Sequence, residues 1–70
     1  MDLRDQVCKL VDYWIDHNHE HEVEMQEWAG KANPLGPQVA DALQKAAASL
    51  AEASAALAKA KEALQNPPEG

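Results

Sequence analysis

Asp16, His17, Asn18, His19, Glu20, His21, Glu22, Val23 and Glu24 hold all three histidines of the chain and four of its twelve carboxylates within nine residues. Imidazole and carboxylate carry protons and bind transition-metal ions, and no other stretch of this sequence concentrates them. At helical spacing His17 and His21 rise from one face with Cβ atoms about 5–6 Å apart, so both rings can reach a common ion at about 2.0–2.1 Å. Glu20 and Glu24 continue on that side, three and seven residues after His17. Two imidazoles with one or two carboxylates suit nickel, zinc, cobalt or copper(II), and not calcium or magnesium. One helix gives at most half a coordination sphere, so the remaining ligands must come from a second copy of the chain, from water or from another helix.

The spacing of His17, Glu20 and His21 also matches HxxEH, the pattern of one class of zinc peptidases in which the glutamate is the general base. A five-residue match is a weak signal. Such enzymes need a further ligand and a cleft, and a 70-residue chain with alanine-rich stripes has no evident wall for one. No catalytic residue is expected.

Two long helical patterns must position these groups. Asn33, Pro34, Leu35, Gly36 and Pro37 break any helix, because Pro34 disfavours the α conformation at Asn33 and Pro37 suits the first turn of a new one. Helix one is expected over about residues 2–32, a turn over 33–36, helix two over about 37–65 and a disordered tail over 66–70. Asp2 is the expected N-cap, with Asp5 favourable toward the helix dipole. In helix one Leu3, Val7, Leu10, Trp14, His17, His21, Glu24 and Trp28 form a heptad stripe. A second stripe, Val11, Trp14, Asn18, His21, Met25, Trp28 and Ala32, overlaps it. Together they make a face wide enough for two partners. His17 and His21 fall inside that face beside Asn18, Glu24 borders it, and His19 and Glu22 fall away.

Helix two is more regular. Leu43, Leu50, Leu57 and Leu64 recur every seven residues, with Val39, Ala46, Ala53 and Ala60 four residues ahead of each. Small side chains there are expected to leave room for Trp14, Trp28 and the imidazoles on the facing helix. A turn near residue 35 puts residues 48–52 level with His17 and His21. Glu52 points away and Ser49 lies at the edge, so helix two offers no strong ligand. The fold class is therefore all-α, an antiparallel hairpin, and its wide face calls for a homodimer in the form of a four-helix bundle. Val7, Leu10, Trp14, Met25, Trp28, Leu43, Leu50 and Leu57 are the expected core and dimer residues. An antiparallel pairing about the middle of helix one would bring His17 beside its symmetry mate and complete the site.

Composition narrows the function. A net charge of −6 repels nucleic acid and anionic lipid, and there is no signal peptide pattern and no apolar run long enough to span a membrane, which makes the cytoplasm the expected compartment. Of the twelve acids, Asp2, Asp5, Asp12, Asp16, Glu20, Glu22, Glu24 and Glu27 precede residue 34, against only Arg4, Lys9 and Lys31. The first half is the half that attracts cations. Alanine supplies much of the 46% hydrophobic content, and there is no Phe, so a single copy buries only a thin seam. Cys8, the single cysteine, excludes an internal disulfide and is expected as an inert surface thiol on the far side of helix one.

The run Trp14, Ile15, Asp16, His17, Asn18, His19, Glu20, His21, followed by Met25 and Trp28, resembles a short prokaryotic helical-hairpin domain that carries WIxHNxEH and a later EWA. That domain is associated with proteins handling nickel and related metals. The resemblance covers helix one; helix two matches only in being alanine-rich and leucine-repeating. It implies a cytoplasmic metal-handling role, with a metal-trafficking protein as a possible partner. His17, Asn18 and His21 are the shared polar positions, and His19 falls at a variable one.

Two readings of the histidines stay open. In one, a divalent transition metal, nickel or zinc foremost, binds His17 and His21 with Glu24 and Glu20, and Asn18 orients an imidazole through its second nitrogen. In the other, His17, His21 and Asn18 form a buried polar layer that fixes dimer register or responds to pH, as a buried Asn does in a coiled coil. Trp14 and Trp28 then exclude water above and below.

Overall fold

A computed structural model describes residues 2–66. Helix α1 runs Leu3–Lys31, a 3₁₀ turn covers Asn33–Leu35, and helix α2 runs Pro37–Gln65. The residues at the boundaries explain them. The Asp2 carboxylate accepts the Asp5 amide at 2.9 Å, which satisfies one of the free N–H groups of the first turn. The Ala32 amide donates back to the Trp28 carbonyl and closes α1. Gly36 has φ 118°, a left-handed conformation that costs a residue with a Cβ, and Pro37 then opens α2 with its φ already set. Of the tail expected over 66–70, Asn66 still donates its amide to the Glu62 carbonyl, and 67–70 lie outside the described residues.

The two helices lie side by side in a layer of 56 × 22 × 11 Å, one helix thick. Among the described residues Val11, Ala29, Ala32, Ala40 and Ala47 are the buried ones, and only Val11 of these is larger than alanine. Half-buried Ile15, Asn18, Glu22 and Met25 continue the α1 side of the seam; Leu43, Leu50, Ser54, Leu57, Lys61 and Leu64 continue the α2 side. At the open end the Arg4 guanidinium donates to the Leu64 carbonyl and the Lys61 ammonium pairs with the Asp12 carboxylate. Among the described residues no helix is long and apolar enough to cross a membrane.

The phase of the seam corrects several expectations. α2 covers Val11, Asn18, Met25 and Ala32 of the second stripe, while Leu3, Leu10, Trp14, His17, His21, Glu24 and Trp28 of the first remain exposed. The turn sets this phase. A connection of so few residues brings α1 and α2 closest near it, where only side chains the size of Ala29, Ala32 and Ala40 fit, and Trp28 beside Ala29 is turned outward. On α2 the residues sharing the seam with the leucines are Ala40, Ala47, Ser54 and Lys61, three ahead of each Leu. Val39, Ala53 and Ala60 are exposed, so they do not face Trp14 or Trp28 within the hairpin. Cys8 is half-buried on the seam side and not on the far side of α1, and Glu22 points between the helices.

Candidate functional site

Tyr13, His17 and His21 follow one another at steps of four along α1, so each ring rests on the next turn. The Tyr13 and His17 rings stack with centroids 5.4 Å apart and 16° between planes. His21 meets His17 edge-on at 89°, with centroids 4.5 Å apart. Their Nε2 atoms stand 3.1 Å apart. At that distance one Nε2 can donate its hydrogen to the other, so a single proton lies between the two nitrogens.

The same spacing fits an ion. Two nitrogens, each about 2.0–2.1 Å from a common metal at octahedral or tetrahedral angles, lie about 2.8–3.4 Å apart. His17 and His21 thus present two nitrogens 3.1 Å apart on the exposed face. The other candidate ligands do not join them. Glu24 is exposed on the same helix, and Glu20 lines a groove on the opposite face of the hairpin. Asn18 is half-buried toward α2. Among the described residues no group of three or more His, Cys, Asp or Glu side chains is placed to hold a metal.

The opposite face differs in kind. Ile15, Asp16, His19, Glu20, Glu22, Ala51 and Ser54 line an open groove of about 470 Å³. His19 Nδ1 lies 3.8 Å from Glu22 Oε2, and the buried Ser54 hydroxyl has no hydrogen-bond partner. Because His19 and Ala51 share this groove, helical phase puts the complementary flanks together on the other face. Trp14, His21 and Trp28 of α1 therefore lie beside Val39, Ala46, Ala53 and Ala60 of α2. The Trp28 ring is flanked there by Lys31, whose Nζ sits 4.5 Å from its centroid.

Sequence reasoning passed over Tyr13, although its place four residues before His17 is the signal that would have found it. Ser54 and Ile15 gave no signal, since they become neighbours only through the hairpin. No curated protein matches this chain, and no solved structure does. A family model described as a domain of unknown function, DUF8180, covers residues 7–64, and the chain belongs to that family.

Proposed function

We propose that this protein is a small non-catalytic metal-binding hairpin, taking nickel, zinc or cobalt at His17 and His21 for storage, delivery or sensing in the cytoplasm. The observation that carries this reading is the 3.1 Å separation of the two Nε2 atoms, which falls inside the span of two donors on one ion. The exposed setting supports it as well, since a bound ion must be reached by further ligands and by a metal donor or acceptor protein. Native mass spectrometry with micromolar nickel, zinc or cobalt tests it. The parent and His19→Ala should each carry metal and His21→Ala should lose it. Parent chain without bound metal, or equal loading of all three proteins, overturns the reading.

A second reading rests on a different observation. Leu10, Trp14 and Trp28 are 46%, 44% and 53% exposed on one face, more large apolar surface than a self-sufficient hairpin shows to water. On this reading the hairpin is an oligomerisation module and the imidazoles set its register. Stable association with no metal bound, and unaltered by chelator, would favour it.

A further inference from the structure

The uncovered face has a symmetry of its own. Numbered from His19, six exposed residues of α1 on this face fall in matched pairs. His17 mirrors His21, Trp14 mirrors Glu24, and Leu10 mirrors Trp28. An antiparallel two-fold contact needs this arrangement, because each residue must meet its mirror position on the other copy. Large apolar groups meet large apolar groups, imidazole meets imidazole, and the indole N–H of Trp14 meets a carboxylate.

The α2 stripe on this face, exposed apart from half-buried Ala46, gives an independent centre. Ala46 mirrors Ala53, and Val39 mirrors Ala60, about a point between Ser49 and Leu50. Ile15 and Ser54 share one groove across the hairpin, which sets His19 of α1 level with Leu50 of α2. The two centres therefore lie on one line across the face, and one two-fold axis along that line serves both helices. The area is sufficient. A 56 × 22 Å outline offers about 1,200 Å² per copy, against about 800 Å² per partner in a standard stable interface. The axis also keeps the strongly acidic groove side, with Asp16, Glu20 and Glu27, away from its counterpart.

We infer that a second copy of the chain covers this face, α1 on α1 and α2 on α2, with the axis passing between His17 and His21 so that four imidazoles from two chains share one layer. Alanine against alanine lets the α2 pair approach closely, while Trp28 on Leu10 of the partner holds the α1 pair further apart and leaves width for the imidazoles. This rests on the metal reading only for what fills the layer; the packing itself stands without it.

The unmodified chain in chelator should run in light scattering at twice its 7.6 kDa mass. With zinc, native mass spectrometry should show one ion per two chains. Register is read in a Cys8→Ser background by mixing Leu10→Cys chains with Trp28→Cys chains. The mixed disulfide should form several-fold faster than either homodisulfide. A monomer at about 100 µM, or a Leu10→Cys chain that crosslinks faster to Ala60→Cys than to Trp28→Cys, overturns the inference. The two proposals fail separately. A dimer with the mixed disulfide but no zinc refutes the metal reading alone, and one zinc on each monomeric chain refutes this one alone.

Discussion

His17 and His21 can place one proton or one ion between Nε2 atoms 3.1 Å apart. Metal binding therefore competes with protons. A metal-bound imidazole must be neutral, so added nickel or zinc should raise the melting temperature above about pH 7 and lose that effect near pH 5. A metal-induced rise of equal size at both pH values would place the ion elsewhere. Lys61 gives a second pH test at the open end. Its hydrogen bond to Asp12 and the charge of that carboxylate raise its pKa above the usual 10.5. A raised folded pKa means that the pair stabilises the fold fully below the unfolded value and loses that contribution as pH rises through the folded one. The melting-temperature gap between the parent and Asp12→Asn should thus be level through neutral pH and close above about pH 10.5. The gap should be small, since the pair is on the surface.

The helices and their boundary at Asn33–Pro37 were legible in the sequence because proline and glycine act locally: Gly36 takes φ 118° and Pro37 starts α2 whatever packs around them. Gly36→Ala should cost about 1–2 kcal/mol in chemical denaturation, since a Cβ strains that φ although no neighbour crowds it. The phase of α1 was not legible. Two overlapping stripes both satisfied the heptad, and the choice between them falls to how closely the chains approach at a short turn, which depends on Ala29 and Ala32 meeting Ala40. The pairing of His17 with His21 followed from their spacing alone. The removal of Glu20 to the other face depended on the seam phase and so escaped the same reasoning. Val11 tests the seam as observed. It is 1% exposed and, among the described residues, the one side chain larger than alanine that is fully enclosed, so Val11→Ala should cost about 2 kcal/mol by lost burial and the cavity left. Leu3→Ala, at a residue 74% exposed, should cost under about 0.5 kcal/mol in a lone hairpin.

A layer 11 Å thick with one valine and four alanines as its buried residues has little to set against the ordering of two 29-residue helices. Leu10, Trp14, Trp28 and Val39 stay exposed outside that seam, on a face with its own two-fold centre, so at the scale of the whole molecule stability should belong to the pair of hairpins and not to one. Such a protein melts from a folded dimer to two unfolded chains, and its midpoint then depends on concentration. With about 0.7 kcal/mol of unfolding enthalpy per residue, two chains of 70 residues absorb about 100 kcal/mol, and a tenfold dilution should lower the melting temperature by about 5 °C. Trp28→Ala removes apolar area from that face without entering the hairpin seam, so it should lower the melting temperature at micromolar concentration and leave α-helical circular dichroism of the folded state unchanged. Calorimetry or circular dichroism across two decades of concentration decides the matter, because a hairpin stable by itself would melt at one temperature throughout.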